Sequence, residues 1–408
     1  MGKPWRSIPC GISELRLDIT LACGQSFRWK EIQPGTWRSV LSGCIWTLKQ
    51  TDTHILYQVH DPREDSKSPR CMGGSGSGSG HPATEQTDVQ SRSKKRSSGD
   101  EPARSKKQRR TELPTVASES PRVSASQDIR EHPHGDRHHD ILHDYFQLDV
   151  RLAGLYEQWK GADENFSKVS ASFPGVRILR QNPVENLVSF ICSSNNNISR
   201  ITGMVEKLCQ HYGTEIGVLD GVAWHAFPTL TVLGGRGVEE RLRKLGFGYR
   251  AKFINQTAKK ITSELGGEEW LWKLRSLPYS EVHSQLLQLP GVGAKVADCV
   301  CLMSLDKREA IPVDTHVWQI AARDYMTSLQ KTKSLTDRTY REIGDFFREL
   351  FGEYAGWAHS VLFSADLKKF QDKSNTPEKN KDNGAKEKKP LKNKRSRKTV
   401  KMSEVVAR

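Results

Sequence analysis

Three side chains that could do chemistry, Lys295, Cys299 and Asp314, follow a Gly-rich turn in the second half of the chain. The turn, LPGVG at 289–293, separates two apolar-periodic segments, which predicts a helix, a tight hairpin and a second helix. The second helix begins with free N–H groups that favour a phosphate. Lys295 falls in its first turn, where the helix dipole disfavours a cation, and Asp314 is placed to cap the next helix. This order of residues indicates chemistry on nucleic acid.

Each of these side chains has a functional and a structural interpretation. A neutral Lys295 could attack an electrophilic carbon and form a Schiff base, and burial would favour the neutral amine. It could instead bind a phosphate beside the hairpin. Asp314 could stabilise developing positive charge or serve only as a helix cap. Cys299 lies on the same helix face as Lys295 and could equally be a buried core thiol.

Composition places the positive charge outside the predicted folded regions. The 408 residues carry a net charge of +15, and the segments 92–110 and 368–408 together contribute +17, which leaves the remainder near −2. A nucleic-acid site in the folded part must therefore be a local patch, while the basic segments add salt-sensitive attraction. The clusters at 93–96, 104–110 and 392–398 favour nuclear import, with solvated disorder as the alternative.

The eight cysteines are scattered and show no zinc or iron–sulfur spacing, so we expect free thiols in a reducing compartment and neither metal nor cofactor. The sequence contains no run of eighteen apolar residues, which predicts that the protein does not span a membrane.

The apolar pattern predicts an α+β, mostly α fold. Residues 15–59 alternate as in an antiparallel meander, whereas the later part follows a helical period broken by glycines. The expected organisation is a first β-rich part at 1–60, a disordered basic insertion at 61–137, helices completing the N-terminal domain at 138–182, a helical domain at 183–370 and a disordered basic tail at 371–408. The insertion contains GGSGSGSG, typical of a flexible linker.

Five segments together resemble one protein family. They are LPGVGAKVADC (289–299), PVDTH (312–316), SSNNNISRI (193–201), GQSFRW (24–29) and AGWAHSVLFSADL (355–367). The sequence is similar to the eukaryotic 8-oxoguanine DNA glycosylase/AP lyases of the helix-hairpin-helix–Gly/Pro/Asp superfamily, over about residues 7–60 and 140–370. Two features depart from the family pattern: the insertion, and His359 in place of a glutamine.

The resemblance implies a repair enzyme. We expect it to act as a monomer on damaged double-stranded DNA in the nucleus, with the mitochondrion as an additional location. It would excise 8-oxoguanine and ring-opened purines opposite cytosine with a lysine nucleophile, and then nick the strand by β-elimination. The alternatives are a helix-hairpin-helix module that binds DNA without chemistry, or a glycosylase of different specificity. Relatives of the endonuclease III type carry a four-cysteine cluster, and no cysteine follows Cys301 here.

The resemblance also implies roles for individual residues. Lys295 and Asp314 would be catalytic. The damaged-base pocket would contain Gly24, Cys299, Pro312, His359, Phe363 and Asp366. The DNA and the orphaned cytosine would be contacted by Asn195, Arg200, Tyr249, Arg250 and His316, with Gly291 and Gly293 in the hairpin. The Gly24 carbonyl would accept the N7–H of the oxidised purine, a hydrogen that guanine lacks.

Overall fold

The computed structural model describes residues 3–62, 137–332 and 334–371. The predicted insertion at 61–137 and tail at 371–408 lie almost entirely outside these described residues. Within them an N-terminal antiparallel sheet packs against a larger helical body, which confirms the predicted α+β, mostly α fold. The division into domains at 182 and 183 stays a prediction.

Among the described residues, the N-terminal sheet has antiparallel strands in the order β1-β5-β4-β3-β2. Their bounds are Arg6–Pro9 (β1), Lys30–Gln33 (β2), Thr36–Leu41 (β3), Cys44–Gln50 (β4) and His54–His60 (β5). Strands β2 to β5 form the predicted meander. Ser42 and Gly43 join β3 to β4 with φ angles of 50° and 75°, as a type I′ turn requires. Residues 25–29, part of the predicted meander, precede β2 and do not form a strand, contrary to the prediction.

The alternating run at 15–21 was also predicted as a strand, and this prediction is wrong. Residues Leu17–Thr20 form one helical turn (α1). The Leu17 N–H donates to the Gln50 side chain at 2.9 Å, and the Gln50 amide donates to the Leu15 carbonyl. Because one side chain satisfies both backbone groups, the run needs no neighbouring strand.

Helices make up most of the remaining described structure. Their bounds are Arg137–Tyr145 (α2), Leu152–Ala162 (α3), Glu164–Ser170 (α4), Pro183–Ile191 (α5), Ile198–Tyr212 (α6), Leu230–Leu233 (α7), Val238–Lys244 (α8), Arg250–Glu264 (α9), Glu268–Lys273 (α10), Tyr279–Leu287 (α11), Ala294–Ser304 (α12), Thr315–Ile320 (α13), Asp337–Phe351 (α14), Ala355–Asp366 (α15) and Lys368–Gln371 (α16). Short 3₁₀ turns lie at Leu274–Ser276, Thr327–Lys331 and Gly352–Tyr354, and a π-helical turn at Ala321–Tyr325. Across the described ranges, no helix is both long and apolar enough to cross a bilayer.

Helix α5 shows how directly the sequence specifies parts of this body. Pro183 occupies the first helical position, and the Asn182 side chain caps the helix by accepting from the Val184 and Glu185 N–H groups. Its apolar stripe, which includes Leu187 and continues to the end of the helix, is buried in the helical core. The hydrophobic face of α5 therefore fixes the segment that leads into the SSNNN turn.

A β-hairpin inside the helical body was missed by the periodicity. It consists of Glu215–Leu219 (β6) and Val222–His225 (β7), joined at Asp220 and Gly221. Both turn residues have positive φ, so the Asp-Gly pair was the hairpin signal. Trp224 of β7 packs in a small apolar cluster with side chains of β3 and β4. The hairpin thus joins the helical body to the sheet.

Helices α11 and α12 form the predicted helix-hairpin-helix. Gly291 has a φ of +80°, and a Cβ there would lie 2.5 Å from the Phe253 side chain. Gly293 has a φ of −96°, which does not require glycine. Gly293 precedes α12 and has no side chain to cap it, which leaves the first N–H groups of α12 without a side-chain acceptor.

Candidate active site

Most of the predicted catalytic and base-pocket residues line one cavity between the start of the N-terminal unit and the helical body. They are Gly24, Lys295, Cys299, Pro312, Asp314, His359 and Phe363. The cavity has a volume of about 60 Å³. Residues more than 300 positions apart in sequence therefore meet at one site.

Lys295 lies at the second position of α12, and its side chain is half-buried. Its Nζ donates to the Ser193 Oγ at 3.2 Å and lies 4.8 Å from the centre of the Phe190 ring. These contacts hold the amine at the wall of the cavity. The lysine is therefore anchored inside the site and does not extend freely toward solvent.

Asp314 caps α13 as predicted. One carboxylate oxygen accepts from the His316 N–H at 2.9 Å and from the Val317 N–H at 3.0 Å. The same side chain lines the cavity with Lys295. The cap and the proposed electrostatic role are compatible, because the two backbone donors fix the carboxylate while its charge acts on the cavity.

Two further titratable side chains face this cavity, Cys299 and His359. Burial raises the pKa of the Cys299 thiol to about 11, with Lys295 lowering it and Asp314 raising it further. Burial lowers the pKa of the His359 imidazole to about 4, and the charge of Asp314 opposes this shift. At neutral pH both side chains are therefore uncharged, and the cavity offers a base a thiol and a neutral imidazole.

The His359 ring is 4% exposed, and neither of its nitrogens has a hydrogen-bond partner among the described residues. It lies between two aromatic rings, with centroid distances of 5.7 Å to Phe347 and 6.4 Å to Phe363. A buried polar group without a partner costs free energy that a ligand can recover by hydrogen bonding. The ring nitrogens therefore mark where a polar base edge could bind.

Phe363 lines the cavity, and the exposed His316 ring contacts it edge to face, with ring centroids 6.2 Å apart. Asp366 differs from the other predicted base-pocket residues, because it does not line this cavity. Its carboxylate accepts from Arg323 at 2.8 Å beside a separate cleft. Asp366 ends α15, roughly 10 Å further along the helix axis than His359 at about 1.5 Å per residue. Asp366 therefore lies outside the lining of this cavity, and its contact with a base stays a prediction.

The residues predicted to read the opposite strand cluster around the SSNNN turn. Asn195, with φ of +44°, and the half-exposed Tyr249 lie together, because the Tyr249 hydroxyl donates to the Ser194 carbonyl at 3.1 Å. Arg250 is buried and donates to the Ser194 and Asn195 carbonyls. Arg200 is exposed in the first turn of α6. Arg250 therefore supports the turn in this structure, and its contact with cytosine stays a prediction.

Sequence reasoning missed a buried polar network beneath the site. The Asp298 carboxylate accepts from the hydroxyls of Tyr279 at 2.6 Å and Tyr340 at 2.5 Å. The Tyr340 hydroxyl in turn accepts from the Val313 N–H at 3.3 Å. This series of hydrogen bonds links α12, which carries Lys295, to the segment that carries Asp314. No local signal identified Tyr340, since it lies in a separate helix.

A larger cavity of about 330 Å³ lies between the sheet and the helical body. Charged side chains of its lining are paired, as in Arg28 with Glu185 at 3.2 Å and the partly buried Arg180 with Asp306 at 2.7 Å. Arg28 also donates to the Val40 and His225 carbonyls. Ion pairing of this kind stabilises an interface between structural units. The smaller cavity, which holds the unpaired imidazole and the lysine, is the better candidate for chemistry.

One buried trio has ligand atoms close enough together for a metal ion. Cys44, Asp61 and His138 place such atoms within 4.8 Å of one another. The His138 Nδ1 lies 3.3 Å from the Arg6 guanidinium, a group that can only donate, so Nε2 carries the ring proton toward Asp61. In this arrangement neither ring nitrogen offers a lone pair to an ion.

Comparison with known proteins agrees with this site. Residues 7–187 match the model of the 8-oxoguanine DNA glycosylase N-terminal domain, and residues 188–345 match that of HhH-GPD superfamily base excision DNA repair proteins. The chain is 31% identical over 221 residues to a probable N-glycosylase/DNA lyase of Methanothermobacter thermautotrophicus, covering 50% of this chain and 67% of that protein. The chain is therefore a helix-hairpin-helix–Gly/Pro/Asp protein and belongs to the 8-oxoguanine DNA glycosylase family.

Two eukaryotic relatives are more similar. N-glycosylase/DNA lyase OGG1 of Arabidopsis thaliana is 44% identical over 227 residues, and N-glycosylase/DNA lyase of Saccharomyces cerevisiae is 44% identical over 246 residues. Each match covers 55% of this chain. The chain spans 61% and 65% of the lengths of these relatives, so it matches somewhat less than two thirds of each.

Solved structures share the fold. The Clostridium acetobutylicum 8-oxoguanine glycosylase/lyase, bound to double-stranded DNA with cytosine opposite 8-oxoG, superposes with a TM-score of 0.60 at 22% identity, over 88% of this chain and 93% of that one. A 3-methyladenine DNA-glycosylase from Archaeoglobus fulgidus gives 0.56 at 16% identity, over 88% and 98%. At these identities the likeness shows a common architecture.

Proposed function

We propose that this protein excises 8-oxoguanine opposite cytosine from double-stranded DNA and then cleaves the strand at the abasic site. The observation that carries the proposal is the shared cavity, in which the Lys295 amine, the Asp314 carboxylate and the unpaired His359 ring meet. The names of the plant and yeast relatives, both N-glycosylase/DNA lyases, support it.

The proposed reaction begins with eversion of the damaged nucleotide into the cavity, because the glycosidic carbon is inaccessible inside a duplex. The Lys295 amine attacks C1′, the C1′–N9 bond breaks, and its electron pair leaves with the base. Positive charge develops on the sugar in this step, and the Asp314 carboxylate stabilises it electrostatically. Backbone capping contacts hold that carboxylate in place, so little reorganisation is needed.

Strand cleavage follows from the covalent intermediate. Opening of the sugar ring gives a Schiff base between Lys295 and C1′, which acidifies the C2′ hydrogens. Loss of a C2′ proton forms a C2′–C3′ double bond and expels the 3′ phosphate. The strand is thereby nicked on the 3′ side of the lesion, and hydrolysis of the Schiff base then returns the free amine.

Recognition in this proposal uses both ends of the cavity. Gly24, with φ of +88°, presents its backbone where a Cβ would come within 3.0 Å of Ile198, so only glycine fits without displacement. Its carbonyl would accept the N7–H that 8-oxoguanine has and guanine lacks. His359 would bind the Watson–Crick edge. A neutral imidazole offers one donor and one acceptor that point in different directions, so it satisfies fewer edge atoms than an amide.

The proposal is tested by borohydride trapping on an 8-oxoguanine:cytosine duplex. We expect a covalent adduct with the wild type and with Lys168→Gln, which removes an exposed lysine of α4, and none with Lys295→Gln. Guanine:cytosine duplexes should give no adduct. An adduct with Lys295→Gln would contradict the mechanism. Wild-type binding to DNA without any product would instead support a non-catalytic DNA-binding module.

We also propose that the protein acts as a monomer in the nucleus, with ring-opened purines as further substrates. The basic clusters at 93–96, 104–110 and 392–398 support nuclear import. Imaging of a fluorescent fusion, with each cluster replaced in turn by neutral residues, tests the location and shows any mitochondrial fraction. Sedimentation of the protein with and without a lesion duplex tests the monomer.

A further inference from the structure

We propose that Ser193 is a positioning residue that orients the Lys295 amine for attack. This inference rests on the proposed function, because it assigns the serine to the same nucleophile. Ser193 is the first residue of the SSNNN motif and had no role in the sequence-based prediction.

Ser193 is the acceptor in its hydrogen bond with Lys295. Its hydroxyl donates to the Phe190 carbonyl at 2.7 Å, and a hydroxyl has only one proton to give. The oxygen therefore has only lone pairs for the Lys295 Nζ, which lies 3.2 Å away. The lysine must be the donor in that hydrogen bond, whether its amine is charged or neutral.

This bond restricts where the reactive lone pair of Lys295 can point. A neutral amine has two N–H bonds and one lone pair, and one N–H is directed at Ser193. Ser193 does not line the cavity, whereas Cys299 and Asp314 do. The N–H bound to Ser193 is therefore used outside the cavity lining, so only the second N–H and the lone pair remain for the groups inside the cavity. The Phe190 ring at 4.8 Å limits movement of the amine on another side.

Ser193 is itself fixed by the turn that follows it. The next carbonyl, of Ser194, accepts from Tyr249 and Arg250, and the Asn195 carbonyl accepts from Arg250 at 3.0 Å. The Ser193 N–H also donates to the Phe190 carbonyl at 3.0 Å. Removal of the Ser193 hydroxyl therefore leaves that carbonyl with a donor, so the fold loses little while the lysine loses its acceptor.

The test compares three variants of the full chain on an 8-oxoguanine:cytosine duplex. Ser193→Ala removes the acceptor, Ser193→Thr keeps a hydroxyl, and Ser194→Ala is the matched control at the adjacent half-buried serine. We expect Ser193→Ala to slow single-turnover base excision and borohydride trapping by about tenfold, the effect of one hydrogen bond. Ser193→Thr should recover most of the rate, and Ser194→Ala should match the wild type.

Binding and stability separate positioning from a merely structural role. We expect all three variants to keep the wild-type Kd for a duplex that contains a tetrahydrofuran abasic analogue, and to keep the wild-type Tm. A Ser193→Ala protein with the wild-type trapping rate would overturn the inference and leave the proposed function standing. The inference would also be overturned if Ser193→Ala lost affinity and Tm along with rate, and if Ser193→Thr did not restore them. If the wild type itself forms no adduct, the proposed function is wrong and the inference with it.

Discussion

The two walls of the cavity are built in opposite ways. The nucleophile wall, formed by Lys295, Cys299 and Asp314, makes hydrogen bonds within the protein, such as the 3.2 Å bond from Lys295 to Ser193 and the capping bonds of Asp314. The aromatic wall, formed by His359 and Phe363, buries two ring nitrogens that have no partner among the described residues. Polar groups of the nucleophile wall thus have hydrogen-bond partners within the protein, whereas the ring nitrogens of the aromatic wall have none among the described residues.

The difference separates positioning from recognition. Groups that must meet a reacting carbon gain from being held in one geometry before the substrate arrives, because reorganisation then costs nothing at the transition state. A group that must distinguish bases gains from being unsatisfied, because only a ligand with complementary atoms restores its hydrogen bonds. The nucleophile wall therefore contributes to stability, whereas the aromatic wall lowers it until a base binds.

The largest effect is expected from removing the charge of the nucleophile wall. Asp314→Asn keeps an oxygen that can cap α13, so the fold should be retained. Loss of the negative charge should lower the single-turnover excision rate by about 10²- to 10³-fold. The measurement is excision of 8-oxoguanine opposite cytosine, with Tm as the check on folding.

Asp314→Ala is the comparison for this prediction, because it removes both the cap and the charge. It should lose about 1 kcal/mol of stability in addition to the activity. An Asp314→Asn protein with wild-type excision would show that the carboxylate serves only as a cap, and the nucleophile wall would then lack its electrostatic part.

The aromatic wall should make stability depend on pH. Burial lowers the pKa of His359 to about 4 from an ordinary value of 6.5. Between these values the unfolded chain binds a proton that the folded chain does not, so the free energy of unfolding decreases as the pH falls from 6.5 to 4. At neutral pH this loss is absent, and below about pH 4 it is complete. The total decrease in the free energy of unfolding is about 3 kcal/mol.

Urea denaturation of the wild type and His359→Gln across this range isolates the effect, because other groups titrate equally in both proteins. The difference in free energy of unfolding between the variant and the wild type should grow in favour of the variant as the pH falls. Parallel curves for the two proteins would mean that the histidine is not buried neutral, and the contrast between the walls would weaken.

The smallest of these effects concerns the hairpin that supports the nucleophile wall. Gly291→Ala places a Cβ 2.5 Å from Phe253 at a φ of +80°. We expect it to lower the free energy of unfolding by about 2 kcal/mol and to weaken DNA binding. Gly293→Ala is the matched control, because its φ is −96° and no atom lies within 4 Å of its Cβ. Its stability should stay within about 0.5 kcal/mol of the wild type. Equal losses in both would contradict the assignment of strain to Gly291.

The sequence predicted the elements that local chemistry specifies. Asp314 caps α13 and Gly291 permits the hairpin turn, through a capping carboxylate and a backbone preference respectively. The resemblance added the residues that share the cavity. The Asp-Gly pair at 220–221 also specifies its hairpin locally, because both residues adopt positive φ.

By itself, then, the sequence determined the helix-hairpin-helix, the aspartate that caps α13 and the family of the chain, because caps, turns and motifs act over a few residues. Only the tertiary structure decided which distant groups touch. It placed Lys295 against Ser193 and Arg250 against the carbonyls of the SSNNN turn. It also paired Asp366 with Arg323 outside the cavity lining, and left the His359 ring without a hydrogen-bond partner among the described residues. Such contacts depend on how helices pack, and packing is set by buried shape over the whole core.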